Sequence, residues 1–120
     1  YLMFGAFELA IAAEFLRRDG WDAFVDSSAS RAEAVDFVDR EWFDVIELSL
    51  SSESHLDELT AAIRHIRRAS RNGALAVMVG GPVFKDHPEM ADRVGADVVA
   101  SGGRQAALQA YNLMEQLRTK

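Results

Sequence analysis

Cysteine is absent from the 120 residues, which excludes disulfides, zinc–thiolate sites and iron–sulfur clusters. Lysine is scarce: Lys85 and Lys120 are the only two. The 13 Lys and Arg residues face 19 Asp and Glu, a formal charge of −6, and an acidic domain is a poor match for direct binding to nucleic acid. No apolar run approaches the roughly 20 residues needed to span a bilayer, so no membrane contact is expected and a cytoplasmic location is the default. There is no Gly-x-Gly-x-x-Gly for a dinucleotide. There is also no Ser-His-Asp set, no Cys-His set and no metal-spaced group of carboxylates. Catalysis by the side chains of this domain alone is therefore not expected. No Ser/Gly-rich linker or charge block divides the chain, which reads as one domain over 1–120. It opens on Tyr1 rather than Met, as expected of a piece of a longer protein.

What is present is an ordinary globular composition, 49% hydrophobic and 27% charged, in a chain long enough for one real core. Helical spacing runs from Glu8 to Arg18, closed by Gly20, and a short strand follows over Trp21–Val25. Ser30 and Glu33 form a capping box for a helix reaching about Arg40. Phe43–Leu50 reads as a buried strand, and Leu56, Leu59, Ile63 and Ile66 recur at helical spacing up to about Ser70. Asn72-Gly73 is a turn signal. Leu75–Val79 is the next strand, Pro88 opens a helix closed by Gly95, Asp97–Ala100 is a strand and Arg104–Leu117 is the last helix. Strand–helix alternation of this kind predicts an α/β domain with a parallel sheet. A flavodoxin-like sheet has five strands in the order 2-1-3-4-5. Its first strand is either a short one supplied by Tyr1-Leu2-Met3-Phe4, or it lies upstream of Tyr1.

Val79-Gly80-Gly81-Pro82 carries an apolar strand straight into a Gly-Gly-Pro turn. Glycines at the carboxyl end of a buried strand leave room for another molecule to approach the backbone, and in open parallel sheets ligands sit at that edge. Ser49 and Ser51 end the preceding strand and are candidate donors to such a ligand. Ser54, three residues before Asp57, reads instead as a helix cap. His55 and His87 follow two strand ends, where a neutral imidazole has the chemistry to bind cobalt or haem iron. His65, beside Arg64, Arg67 and Arg68, reads as a solvated surface residue. Phe4, Phe7, Ile11 and Phe15 read as core, with the wall of a flat-cofactor pocket as the alternative. A phosphoacceptor receiver domain shares the fold pattern but needs an Asp after the third strand and a Lys after the fifth. Ser49-Leu50-Ser51 and Ser101-Gly102-Gly103 stand there instead.

Four segments together resemble the cobalamin-binding domain family over about residues 8–110. They are Arg17-Arg18-Asp19-Gly20-Trp21, the strand Phe43-Asp44-Val45-Ile46-Glu47-Leu48-Ser49, the turn Val79-Gly80-Gly81-Pro82, and Gly95-Ala96-Asp97. The likeness is nearest to regulatory domains of purple and related bacteria, in which a Ser-Arg-Asn segment, here Ser70-Arg71-Asn72, precedes the Gly-Gly strand. The resemblance implies a Rossmann-like fold of the cobalamin-binding type. It implies cofactor contacts from Ser49, Ser51, Gly80, Gly81, Pro82, Gly102 and Gly103, with His55 and His87 as candidate metal ligands. The implied role is a ligand-sensing or partner-binding module in regulation, with a protein partner. Its tetrapyrrole is cobalamin or haem, unless it binds no cofactor at all.

Two departures stand out. Cobalamin-dependent enzymes of the family carry Asp-x-His-x-x-Gly before the first helix, with the histidine beneath cobalt. Counting back from Trp21 puts that histidine at Gly5, so the motif is missing here or lies upstream. In the second case the chain is a corrinoid carrier domain of a methyltransferase or mutase. The other departure is Glu47, where the family has a small residue. Strand alternation puts Glu47 and Ser49 on one face, which in the family lines the tunnel for the cofactor's nucleotide tail. A carboxylate there would obstruct the tail. The alternative is a carboxylate half in water or paired with an arginine.

Overall fold

The structure is a computed structural model that describes residues 2–4, 20, 24–26, 31–50, 53–100 and 103–118. Five strands form one parallel sheet in the order β2-β1-β3-β4-β5: β1 is Leu2–Phe4, β2 Phe24–Asp26, β3 Val45–Ser49, β4 Ala76–Gly80 and β5 Val98–Val99. The flavodoxin-like order expected from the alternation is the one observed, and every pairing is parallel. The open question of the first strand is answered within the chain. Leu2–Phe4 lies between β2 and β3 and pairs with both.

Helices α1 (Arg31–Arg40), α2 (Leu56–Ala69), α3 (Pro82–Asp86), α4 (Met90–Val94) and α5 (Gly103–Arg118) connect or follow the strands. One sheet face presents Ile46, Leu48, Val77 and Val79. They pack with Ala34 and Val38 of α1, Leu59, Ile63 and Ile66 of α2, Phe84 of α3 and Val94 of α4. These residues recur every three or four positions along α1 and α2, the spacing of a single helix face. Alternate strand positions give the opposite face: Val45 and Glu47 on β3, Ala76 and Met78 on β4, all buried. Helix α5 packs against β4 and buries Ala110 completely.

The amino edge of the sheet is held by side chains bonded to backbone. Arg67, in the last turn of α2, donates to Gly95 O at 2.7 Å, to Leu75 O at 3.2 Å and to Asp97 Oδ2 at 3.1 Å. The same Asp97 oxygen accepts the Val77 amide at 2.8 Å, while the Asp97 amide donates to Val77 O, also at 2.8 Å. Buried Asn72 donates to Phe43 O at 3.0 Å and accepts the Ala74 amide at 2.9 Å. Ser70 and Asn72 exchange bonds of 3.0 and 3.1 Å, and Arg71 Nε donates to Asp39 O at 2.9 Å. Together these contacts join α1, α2, α4 and three strand starts.

Two local expectations change. α2 is entered through a 3-10 turn, Glu53–His55, so Ser54 lies inside that turn and His55 takes the N-cap position without a side-chain capping bond. The helix after Pro88 begins two residues later, at Met90, and closes on the left-handed Gly95 as anticipated. Ser30, Ser51, Gly102 and the run Phe7, Ile11 and Phe15 lie outside the described residues.

Candidate functional site at the carboxyl edge

The carboxyl ends of β3 and β4 lie side by side, with Ser49 in register with Gly80. Leu50 N donates to Gly80 O at 3.0 Å, so the pairing runs one residue past the strand. Gly81 then turns the chain with φ +98° and ψ 173°, a conformation close to glycine-only. A Cβ on Gly81 would stand 2.5 Å from Leu50 O, 3.0 Å from Ser49 Oγ and 3.1 Å from Leu50 N. The space left by this glycine is therefore taken up by the chain's own backbone, which corrects the reading that it was left for another molecule. Gly80 is different. A Cβ there would meet Ala100 Cβ and Glu47 Oε2, each at 3.8 Å, ordinary contact distances. Pro82 is exposed at the start of α3, and Gly103 is the first residue of α5.

Glu47 is the residue that distinguishes this site. It pairs across the sheet with Met3 on one side and Met78 on the other, and it is 2% exposed. The half-solvated alternative is thus overturned. Burying a carboxylate is costly unless it is hydrogen-bonded. This one is not bare: among the described residues no buried side-chain nitrogen or oxygen lacks a hydrogen-bond partner. Glu47 faces the same side as Ser49 and Gly80, as strand alternation required.

The two candidate histidines also lie in the segments beyond β3 and β4. His55 Nδ1 is 3.2 Å from Glu58 Oε2. His87 Nε2 is 3.6 Å from Glu53 Oε1 and its Nδ1 is 3.4 Å from Glu89 Oε1, so His87 links the segment after β3 to the segment after β4. The distances to Glu53 and Glu89 exceed good hydrogen-bond lengths and describe ion-pair contacts at the surface. The sequence reading missed Glu53, Glu58 and Glu89. The signal was available: Glu58 stands three residues after His55, and Glu89 two after His87. Among the described residues no three His, Cys, Asp or Glu side chains gather as a metal site. His65 is exposed on α2, as expected.

The sequence pattern of the B12 binding domain family matches residues 5–111. The chain belongs to this family. Searching curated proteins finds no match. Among solved structures, the receiver domain of NtrC4 from Aquifex aeolicus aligns with a TM-score of 0.64 at 14% identity, covering 98% of this chain and 94% of that one. At that identity the likeness is one of fold alone. Ser49 ends β3 where a receiver domain needs its phosphoacceptor Asp. Of the segments that carried the resemblance, Gly95-Ala96-Asp97 proves to be an amino-edge clasp, as does the accompanying Ser70-Arg71-Asn72. Their hydrogen bonds go to the backbone and to one another at that edge. With β1 at Leu2–Phe4, the residue after it is Gly5, the position counted for the lower-ligand histidine, and the chain has no histidine before His55. No helix among the described residues is long and apolar enough to cross a membrane.

Proposed function

We propose that this chain is a regulatory, partner-binding module of the B12-binding family, cytoplasmic, which does not hold cobalamin with its tail inserted and a histidine beneath the metal. The observation that carries this reading is Glu47, a buried carboxylate on the face that lines the tail tunnel in the family. The residues present do not fit that binding mode. Glycine stands where the histidine would be, and Glu47 stands where a small residue would leave room. A corrinoid carrier domain needs Asp-x-His-x-x-Gly in the segment that follows the first strand. That segment here reads Gly5-Ala6-Phe7-Glu8.

A tetrapyrrole that binds this module does so at the carboxyl edge, beside Ser49, Ser51, Gly80, Pro82, Gly102 and Gly103, with His55 or His87 as the axial ligand. Titrating the protein with hydroxocobalamin and with haemin, followed by absorbance, tests the proposal. The expected result is weak or no cobalamin binding by the wild type and measurable binding by Glu47→Gly. Tight wild-type cobalamin binding that is unchanged in Glu47→Gly would overturn it. A haemin-induced spectral shift lost in His87→Ala but kept in His55→Ala would assign His87 to the iron.

A further inference from the structure

Helices α1 and α2 lie side by side on the same face of the sheet, and their outer surfaces carry opposite charge. On α1, Asp36 and Asp39 are exposed one turn apart. Asp36 is held by Arg40 at 3.1 Å, and the Asp39 carboxylate has no ion-pair partner among the described residues. On α2, Arg64 and Arg68 are exposed one turn apart, and neither guanidinium has a hydrogen-bond or ion-pair partner among the described residues. No ion pair joins the two stripes within the chain. The helix dipole explains the order of charges along α2, with Asp57 and Glu58 in its first turn and Arg67 and Arg68 in its last. It does not explain an acidic pair and a basic pair on neighbouring helices with no ion pair between them among the described residues, in a chain of net charge −6.

We propose that this face is where two copies of the chain meet. A two-fold axis lying in the plane between the two copies, parallel to the helices and midway between α1 and α2, sets each helix over the other helix of the second copy with its direction kept. Asp36 and Asp39 of each copy then face Arg64 and Arg68 of the other, because both pairs lie in the carboxyl-terminal halves of their helices. Each ion pair is exposed and contributes little alone, and the face offers few apolar groups, so the dimer is weak and exchanges rapidly. Overall like charge opposes association. At about 0.1 M salt the screening length is about 10 Å, which removes most of that repulsion and leaves the contacting pairs. The surface lies away from the carboxyl-edge site, so this inference stands or falls independently of any tetrapyrrole.

Sedimentation equilibrium of the whole chain, up to about 1 mM, at about 0.1 M and about 1 M salt, tests it. The expected result is a monomer–dimer equilibrium at the lower salt whose dissociation constant rises at least tenfold at the higher. The double variant Arg64→Glu/Arg68→Glu is expected to be monomeric with an unchanged circular dichroism spectrum. Adding Asp36→Arg/Asp39→Arg to it restores complementarity and is expected to restore the dimer. A wild-type monomer at the highest concentration in the lower salt would overturn the proposal. So would a dimer indifferent to both salt and Arg64→Glu/Arg68→Glu.

Discussion

At the amino edge of the sheet, Arg67, Asp97 and Asn72 direct their polar groups at the chain's own backbone, over separations of up to thirty residues. At the carboxyl edge, His55, His87, Glu53 and Glu89 are exposed, and among the described residues their ion-pair contacts are with one another or with Glu58. The amino edge therefore behaves as scaffold, and substitutions there act on stability. The carboxyl edge is where a binding partner can be met at little cost to the fold. The family resemblance is spread over both regions, with Gly95-Ala96-Asp97 in the first and Ser49 and Val79-Gly80-Gly81-Pro82 in the second. Glu47, a departure that bears on the ligand, lies toward the second.

Gly81 is the sharpest exception to this division, and it should give the largest effect. Gly81→Ala places a Cβ against Leu50 O at a strained backbone angle, and the expected loss is about 3 kcal/mol or more. Thermal unfolding should show a fall of roughly 10 °C. Gly80→Ala should stay within about 1 kcal/mol, since its Cβ would meet only ordinary contacts. Equal losses at the two glycines would break the distinction drawn between them. Next in size is Asp97→Ala. It strands the buried Val77 amide and removes one of the groups that hold Arg67. Chemical denaturation should show a loss of about 2 kcal/mol, with the response to hydroxocobalamin and haemin unchanged.

Glu47→Gly follows, read as ligand affinity: about tenfold tighter cobalamin, or roughly 1.4 kcal/mol, and a smaller change for haemin, which has no nucleotide tail. The smallest effect is expected at the surface clasp. Glu53→Gln should change stability by less than about 0.5 kcal/mol. A larger loss in denaturant titrations would mean that the carboxyl edge carries part of the scaffold after all.

The strand order and the position of the Gly-Gly turn were legible in the sequence, because alternation of strand and helix and glycines at strand ends are local signals. The face occupied by Glu47 was legible for the same reason. Its depth was not, since burial of a strand residue depends on what packs over its face, and in β1 three apolar residues are too few to show a period. The reason for Gly81 was hidden because its constraint comes from Leu50, thirty-one residues earlier. The 3-10 turn that holds Ser54 and puts His55 at the start of α2 was not legible, since serine, glutamate and histidine in a row carry no signal that separates it from the helix itself. Asp97 was noticed only as part of a family-like triplet. Its partners Arg67 and Val77 lie thirty and twenty residues away, a pairing no local pattern encodes.

The shortness of β1 has a kinetic side. Its three residues are the only strand bridging β2 to the rest of the sheet. Leu2 must find Phe24 across one loop and Ile46 across a loop twice as long, and doubling a loop adds about 0.6 kcal/mol of closure entropy. Meanwhile β3 and β4 share a longer, five-residue register and can assemble without it. The strand that comes before the others in sequence is thus seated late, sliding into a slot that later residues have already built. Until then β3 has an open flank, and the buried carboxylate of Glu47 is left wet.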